Sequence, residues 1–316
     1  MAKNICVIGG SGFVGRSIVR QALAEGHQVR IACRHPEHAR HLQVDGADTK
    51  QVDICMGKGL DVALEGMDCV INLVGVLFER GRYSFSEAHV EGTKRILHAC
   101  TQAGVTRYIH MSALGAASDN PSDYGRTKHA AEQMVRDSDL DWTIIRPSVI
   151  FGREDDFFNK LDAMSRLLPV FPVIAGATCF QPVWVEDVAR AFVQSVSDKA
   201  TVKQSFDLGG PRAYAFKDLV QLLLDARGRS RLCIPVPHAV AGLMASALQF
   251  LPVPPLTPDQ LAMLQQDNIV AGDQPFPACF GEASSVETIL PTYINGGRPA
   301  RLQRAMNDCR ENYRKL

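Results

Sequence analysis

The feature of this sequence that most constrains its fold is a glycine-rich turn, Gly9-Gly10-Ser11-Gly12-Phe13-Val14-Gly15. An apolar run, residues 5 to 8, precedes the turn, and residues 13 to 25 carry apolar side chains at helical spacing up to Gly26. The glycines satisfy both the Gly-x-x-Gly-x-x-Gly and the Gly-x-Gly-x-x-Gly spacing. A strand, a tight turn and a helix are therefore predicted at the start of the chain.

A turn of this kind, between a strand and a helix, is suited to holding phosphate. One glycine permits the tight turn, another lets the backbone approach a pyrophosphate, and Gly15 allows close packing of helix on strand. The exposed N–H groups and the positive end of the helix then face the phosphates. The sequence predicts dinucleotide binding here, although a glycine turn can also simply connect two elements.

Apolar runs alternate with helical patterns along the first half of the chain. The predicted strands after the first are residues 28–33, 51–54, 69–74, 108–111 and 142–145, and the later predicted helices are 58–65, 84–103 and 124–138. Parallel neighbours need a crossover, which such helices supply. The predicted fold class is α/β, a doubly wound parallel (Rossmann) sheet with a smaller, mostly helical C-terminal lobe.

The alternation breaks after about residue 150, which predicts a division of the chain. Residues 1–150 are predicted to form the Rossmann domain, with 183–204 returning to it. Residues 151–182 and 205–316 are assigned to the C-terminal lobe, which is expected to hold substrate or partner. Within it, residues 272–301 are rich in Gly, Pro and polar residues and are predicted to form a mobile flap.

Composition argues against several classes of function. The 34 basic and 34 acidic side chains cancel, so no net field draws the protein to nucleic acid, and no such partner is expected. The nine cysteines are scattered without a Cys-x-x-Cys pair, which indicates a reducing compartment and no metal site. Because the N-terminus leads straight into a strand, no targeting peptide is expected. The predicted location is cytoplasmic, with peripheral membrane contact left open.

Residues 238 to 251 form the most hydrophobic uninterrupted helical pattern of the chain. At fourteen residues the segment is shorter than the ~20 that a membrane-spanning helix needs. The preferred interpretation is a buried helix, and the alternative is a face that contacts a membrane or a protein complex.

The end of the second predicted strand discriminates between the two nicotinamide cofactors. An acid there would bind the ribose 2′-hydroxyl, whereas an arginine accommodates a 2′-phosphate. The sequence reads Cys33-Arg34-His35, with no acid, so Arg34 favours NADP(H) over NAD(H). The alternative is that Arg34 is an ordinary solvated side chain.

Five segments of the sequence form a recognisable set of motifs: residues 7–15, Asp53-Ile54, Asn72-Leu73-Val74-Gly75, Tyr124-Gly125-Arg126-Thr127-Lys128 and Arg146-Pro147-Ser148-Val149-Ile150-Phe151-Gly152. With these motifs, the sequence resembles the short-chain dehydrogenase/reductase superfamily, in its extended or atypical branch. In such proteins the acid-containing pair faces the adenine, and the last segment runs beside the nicotinamide. The resemblance therefore assigns to the cofactor Asp53, Ile54, Asn72, Val74, Gly75, Pro147 and Val149.

The Tyr124 and Lys128 pair also has a physical rationale. Residues four apart on a helix share a face, so the Lys128 ammonium can approach the Tyr124 phenol and a cofactor ribose. A nearby positive charge would lower the pKa of Tyr124 and make it a usable acid or base. The alternative is a pair that only packs on the cofactor.

Two positions depart from the pattern of catalytic family members. Ser112 is the only hydroxyl in Ser112-Ala113-Leu114-Gly115, and His89 stands where the family often has Asn. These departures, with residues 181–189 and 208–211, resemble the subgroup of the dehydrogenase-like accessory subunit of respiratory complex I and its bacterial relatives. That subgroup implies a tightly held NADP(H) and a link to quinone metabolism.

The resulting hypothesis is an NADP(H)-dependent oxidoreductase with catalytic Tyr124, Lys128 and Ser112 and a lipophilic or quinone-like substrate. Its expected apolar pocket consists of Leu167, Val170, Phe171, Phe180 and Trp184. A second hypothesis is a non-catalytic NADP(H)-bearing accessory or assembly subunit that associates through 238–251. A weaker one is a nucleotide-sugar epimerase or dehydratase, which Arg34 disfavours because such enzymes retain NAD.

Overall fold

The computed structural model describes residues 2–249, 254 and 256–294. The strands in this part of the chain are β1 (Asn4–Ile8), β2 (Gln28–Cys33), β3 (Asp48–Gln51), β4 (Cys69–Asn72), β5 (Arg107–Met111), β6 (Asp141–Pro147), β7 (Ile150–Phe151), β8 (Val170–Ile174), β9 (Cys179–Phe180), β10 (Val183–Trp184), β11 (Gln204–Leu208), β12 (Tyr214–Ala215) and β13 (Leu232–Val236). The α-helices are α1 (Phe13–Ala24), α2 (Arg40–Val44), α3 (Leu60–Leu64), α4 (Gly92–Ala103), α5 (Asp123–Arg136), α6 (Phe157–Leu167), α7 (Val185–Ser197), α8 (Phe216–Arg227), α9 (His238–Leu248), α10 (Pro258–Met263) and α11 (Val286–Ile294). A π-helical turn, Ser86–Glu91, leads into α4.

Seven of the described strands form one parallel sheet in the order β11-β6-β5-β4-β1-β2-β3. The chain order reverses on either side of β1, which pairs with both β2 and β4. In such sheets the ligand crevice lies at the carboxyl ends of the strands, at this point of reversal. The predicted doubly wound parallel fold is confirmed, and β11 extends the returning part of the chain past residue 204 to Leu208.

Successive side chains of each strand point to opposite faces of the sheet, and helices pack on both faces. On β1, Ile5 and Val7 pack in a core that includes side chains of α1 and α7. Cys6 and Ile8 pack in a second core with side chains of α3, α4 and α5. Burial on both faces explains the continuous apolar run that the sequence shows at this strand.

The third strand begins earlier than its apolar residues predict. The predicted strand spans 51–54, whereas β3 ends at Gln51. As the edge strand of the sheet, β3 has no fully buried residue, so no apolar run marks it. Val52 and Ile54 follow the strand and pack in the core beneath α3 and α4.

The C-terminal lobe has its own apolar core, formed by residues of β8, α6, α8 and α11. The predicted flap at 272–301 packs against the protein over its described part, because Phe276 and Phe280 are 8% and 0% exposed. Its backbone also joins the end of β11, where the Gly209 N–H donates to the Pro275 carbonyl at 2.7 Å.

Helix α9 is exposed where the sequence predicts a buried helix. Only Ala241 and Ala245 of this helix are buried, whereas Val240 is 47%, Leu243 75% and Met244 39% exposed. Hydrophobicity alone cannot distinguish a buried helix from an exposed apolar one, and here the lobe covers a single narrow stripe. Residues 250 and 251 of the predicted segment lie outside the described residues. A search of the described residues finds no helix with the length and apolar character to cross a bilayer.

Candidate functional site

The glycine turn joins β1 to α1 at the carboxyl edge of the sheet. Gly9 has a φ of 85°, in the left-handed region that favours glycine. A Cβ on Gly15 would lie 2.5 Å from the Gly9 carbonyl oxygen, so only glycine lets α1 begin this close to the turn. Gly12 is the N-cap and offers no side chain to the first N–H groups of α1. These N–H groups are therefore open to an anion, as the phosphate-binding prediction requires.

The end of β2 and the loop after β3 are linked by an aromatic residue that the motifs do not mark. Tyr83 donates its phenolic hydrogen to Asp53 Oδ2 at 3.1 Å, and the Arg34 guanidinium lies 4.4 Å from the centre of its ring. Asp53 Oδ1 also accepts from the Cys55 N–H at 3.0 Å. Arg34 and Asp53 are both predicted to contact the adenosine half of the cofactor, and we call their location the adenosine end of the crevice. Tyr83 brings these two residues together.

Ile54, the other residue of the predicted adenine pair, is buried against α4. A Cβ on Gly92 would lie 2.6 Å from Ile54 Cδ1, so this glycine makes room for the isoleucine. The Ile54 carbonyl accepts from Arg95 Nη1 at 3.1 Å. The geometry fixes the loop backbone here, and the contact of Ile54 with adenine stays a prediction.

Asn72 shapes the turn that follows β4. It is 1% exposed, its Oδ1 accepts from the Val74 N–H at 3.1 Å, and its Nδ2 donates to the Tyr108 hydroxyl at 3.0 Å. Gly75 is the next tight position, since a Cβ there would lie 3.2 Å from Lys128 Nζ. Asn72 and Gly75 therefore act by placing the backbone around Lys128.

Lys128 lies on α5 with its ammonium group between two strand ends. Its Nζ donates to the carbonyls of Val74 at 3.2 Å and Met111 at 3.0 Å. Within the described residues two of its three N–H groups have acceptors, which leaves one for a ligand such as a ribose hydroxyl. Burial lowers the pKa of Lys128 to about 8, and the nearby Glu132 partly opposes this. The side chain remains mostly protonated at neutral pH.

Tyr124 lies one turn before Lys128 and is half-buried. The centre of its ring lies 5.3 Å from that of His89 and 6.1 Å from that of Phe85, both in T-shaped contacts. Asp259 of α10 accepts from the Asp123 N–H at 2.6 Å, so the lobe contacts the start of α5. Burial, followed by the Asp259 charge, raises the pKa of Tyr124 to about 12.

The predicted lowering of the Tyr124 pKa by Lys128 is therefore wrong for the protein alone. The ammonium is directed to the carbonyls of Val74 and Met111, and desolvation of the phenol outweighs it. Tyr124 is a protonated hydroxyl at neutral pH, which suits a proton donor.

His89 lies in the π-helical turn before α4, and its ring orientation is fixed on both sides. Its Nε2 accepts from the Val76 N–H at 3.1 Å, so Nδ1 carries the hydrogen and donates to Thr127 Oγ1 at 2.9 Å. Burial, helped by the charge of Lys128, lowers the pKa of His89 to about 2, which keeps the ring neutral. His89 thus holds the segment after β4 against α5.

Ser112 is 2% exposed and lies beside Glu132, whose carboxylate binds Arg146 at 2.5 Å and Arg136 at 2.9 Å. Burial alone would raise the pKa of Glu132, but hydrogen bonds from Arg146 and Arg136 hold it below its usual value. The Ser112 Oγ has no hydrogen-bond partner among the described residues, and its role at a substrate carbonyl stays a prediction.

Pro147 and Val149 lie where β6 ends, on the far side of the crevice. The Pro147 carbonyl accepts from the Leu114 N–H at 3.0 Å, and the Val149 carbonyl accepts from the Val183 N–H at 3.0 Å. Further along, a Cβ on Gly152 would lie 3.3 Å from the Phe13 ring. This segment therefore reaches back to the glycine turn and closes that side of the site.

The apolar pocket predicted in the lobe is not formed by the five side chains named for it. Phe171 and Phe180 are 0% and 6% exposed inside the lobe core, which Trp184 packs against. Leu167 is 82% and Val170 38% exposed on the surface. Val170 and Phe171 are neighbours on β8 and therefore point to opposite faces of that strand, and the other three side chains lie on three different elements.

The comparisons with known proteins agree with this geometry. The family model described as NAD(P)H-binding matches residues 9–167. The chain is 33% identical to NADH dehydrogenase (ubiquinone) 1 alpha subcomplex subunit 9, mitochondrial, of Arabidopsis thaliana over 279 residues, covering 84% of this chain and 69% of that protein. The chain belongs to the short-chain dehydrogenase/reductase superfamily. The predicted atypical extended subgroup, which includes this complex I subunit, is confirmed.

Two further similar proteins have lower sequence identity to this chain. Photosystem II assembly factor Ycf39 of Synechocystis sp. is 26% identical over 303 residues, covering 92% of this chain and 89% of that protein. The crystal structure of an NADPH-dependent quinone oxidoreductase from Escherichia coli superposes with a TM-score of 0.75 at 18% identity, covering 92% of this chain and all of that one. At that identity the likeness shows the fold alone. NAD(P)H binding is thus established for this chain at the level of its family.

Proposed function

We propose that this protein is an NADP(H)-dependent oxidoreductase that reduces a lipophilic, quinone-like compound. The observation that carries the proposal is the buried Lys128 ammonium, which has one N–H left for a ribose and lies one helical turn from Tyr124. The open N–H groups beyond Gly12 suit the cofactor's pyrophosphate. The residues present therefore fit a nicotinamide dinucleotide.

The preference for NADP(H) rests on Arg34. It is exposed at the end of β2, and its guanidinium can bind a 2′-phosphate with two parallel hydrogen bonds. Its orientation on the Tyr83 ring leaves it close to Asp53, the predicted adenine contact. No carboxylate takes the place of Arg34 at the strand end, where NAD(H) would favour one.

In the proposed reaction Tyr124 supplies the proton. A nicotinamide cofactor held at the glycine turn, Arg34 and Lys128 would supply a hydride, and Tyr124 would donate its phenolic proton to the substrate oxygen. The substrate would thus gain two electrons and two protons in total, and its carbonyl would become a hydroxyl. The raised pKa of Tyr124 keeps that proton in place until the transfer. Lys128 orients the ribose and stabilises the phenolate that forms.

The surroundings of Tyr124 favour a flat, apolar substrate. Tyr124 packs in T-shaped ring contacts with Phe85 and His89, and the burial of His89 keeps it uncharged. Asp259, whose charge acts on this phenol, accepts hydrogen bonds from the backbone N–H groups of Asp123 and Tyr124. A charged sugar nucleotide would find few partners here.

The test is oxidation of NADPH by a water-soluble quinone, with Tyr124→Phe beside wild type. We expect Tyr124→Phe to lower kcat by about 10²-fold or more, because it removes the proton donor. Tyr214→Phe, which loses a hydroxyl bonded to Glu287 in the lobe, serves as the matched control. Equal kcat in wild type and Tyr124→Phe for every reducible substrate would overturn the catalytic assignment.

A second candidate function is that of an NADP(H)-bearing accessory or assembly subunit located at the membrane periphery. The observation that favours it is the exposed apolar face of α9, with Val240, Leu243 and Met244. Apolar side chains this close together are unusual on a monomer surface and indicate a contact site. Relatives named as a complex I subunit and as a photosystem II assembly factor support the same proposal.

This second function is tested by recovery of the protein with detergent-solubilised respiratory membranes. Leu243→Asp is expected to abolish co-migration with a large complex, because it places a charge in the contact. Val44→Asp alters an equally exposed apolar residue on α2, far along the chain, and should have no effect. If wild type migrates alone, or if both variants behave alike, α9 is not the contact.

A further inference from the structure

A small hairpin after β4 reaches the adenosine end of the crevice. Arg80 and Tyr83 exchange backbone hydrogen bonds of 3.2 and 3.0 Å, and Gly81 turns the chain with a φ of 58°. Arg82 Nη1 lies 2.9 Å from the Met56 sulfur, in the loop that follows β3. The hairpin, which follows β4, thus contacts the loop that follows the edge strand β3.

The strand order shows how far this hairpin extends. The sheet runs β4-β1-β2-β3, so β4 and β3 are separated by two strands. Arg34 follows β2, and Asp53 and Met56 follow β3. The hairpin, which follows β4, therefore contacts residues that follow both β2 and β3.

Tyr83, at the end of the hairpin, contacts both adenosine-end residues in different ways. Its hydroxyl donates to Asp53 Oδ2 at 3.1 Å. Its ring lies under the Arg34 guanidinium at 4.4 Å, which is within cation–π range. Arg34 is otherwise exposed, so the ring restricts a side chain that would lose considerable rotamer entropy on binding.

We propose that Tyr83 is a specificity-determining residue, which holds Arg34 in position for the 2′-phosphate of the cofactor. The proposal rests on the proposed NADP(H) preference and adds a residue outside every motif that carries the family resemblance. The ring acts on Arg34, whereas the hydroxyl acts on Asp53 and on the hairpin. Loss of the ring should therefore weaken the binding of NADPH and leave that of NADH nearly unchanged.

The experiment measures the dissociation constants of NADPH and NADH by calorimetry on the full chain. Removing a cation–π contact at an exposed site corresponds to about 2- to 5-fold in affinity. We expect Tyr83→Leu to reduce the preference for NADPH over NADH by that factor. Tyr83→Phe and Tyr83→Trp keep a ring and are expected to keep the preference, which separates the ring from the hydroxyl.

The double variant Arg34→Ala/Tyr83→Leu shows whether Tyr83 acts through Arg34. We expect it to show the same preference as Arg34→Ala alone, because the ring then has no guanidinium to hold. A preference unchanged in Tyr83→Leu, or lowered equally in Tyr83→Phe, overturns the role of Tyr83 while the proposed function stands. If wild type binds neither cofactor, or prefers NADH, the proposed function and the role of Tyr83 fail together.

Discussion

Lys128 and Arg34, the two cations of the candidate site, lie in opposite surroundings. Lys128 is 1% exposed, and backbone carbonyls of two strand ends fix its ammonium group. Arg34 is exposed, and a single side chain, Tyr83, orients it. The position of Lys128 is thus part of the fold, whereas the position of Arg34 depends on one hairpin. Substitutions around Lys128 should change both the turnover rate and the free energy of unfolding. Substitutions around Arg34 should change only the relative affinity for NADPH and NADH.

Of the two cations, Lys128 has the larger expected effect, which Lys128→Met tests. It removes the ligand for the ribose and the charge that stabilises a Tyr124 phenolate, so we expect kcat for NADPH oxidation to fall by about 10²-fold. The carbonyls of Val74 and Met111 also lose their donor. Lys160→Met, at a half-exposed lysine paired with Asp156, is the control. Retention of wild-type turnover would show that Lys128 is only structural.

A smaller effect is expected for Arg34→Ala. The loss of hydrogen bonds to a charged group corresponds to about 10- to 100-fold in affinity, here for NADPH alone. The affinity for NADH and the free energy of unfolding should stay at the wild-type values, because the guanidinium is exposed. Titration of both cofactors and urea denaturation check this, with Arg40→Ala as the neighbouring control. Equal weakening of both cofactors would contradict the assigned 2′-phosphate contact.

The last expected effect is on stability, as a pH dependence that originates at His89. Burial and Lys128 lower the pKa of His89 to about 2, so the unfolded chain binds more protons than the folded one below about pH 6.5. His89 therefore makes the free energy of unfolding fall as the pH falls from 6.5, by up to ~1.4 kcal/mol per pH unit.

The measurement is urea denaturation of wild type and His89→Asn between pH 7 and pH 5. Asn has no proton to gain, so the variant should lose less stability on acidification than wild type does. Identical slopes would mean that His89 is not held neutral in the folded protein.

The fold and the placement of Tyr124 and Lys128 follow closely from the sequence. The glycine turn, the alternation of strands and helices and the Tyr124 and Lys128 spacing all depend on residues near one another in the chain, where periodicity is informative. The direction in which the Tyr124 pKa shifts does not follow from the sequence, because it depends on desolvation and on Asp259, which lies far along the chain.

The adenosine end and the lobe surface were harder to predict for physical reasons. Tyr83 contacts Arg34 and Asp53 only through a hairpin in an irregular segment, which no period marks. Leu243 is exposed because the elements packed against α9 cover only part of this helix. The hydrophobicity of the helix does not predict how much of it is covered. Sequence patterns locate elements and motifs, and tertiary packing decides what the remaining side chains touch.

The most direct test of the central claim is native mass spectrometry of the purified protein, followed by release and identification of any bound dinucleotide. We expect one NADP(H) per chain, either co-purified or taken up on incubation with NADPH. Recovery of NAD(H) instead, or no uptake of either cofactor, would contradict it.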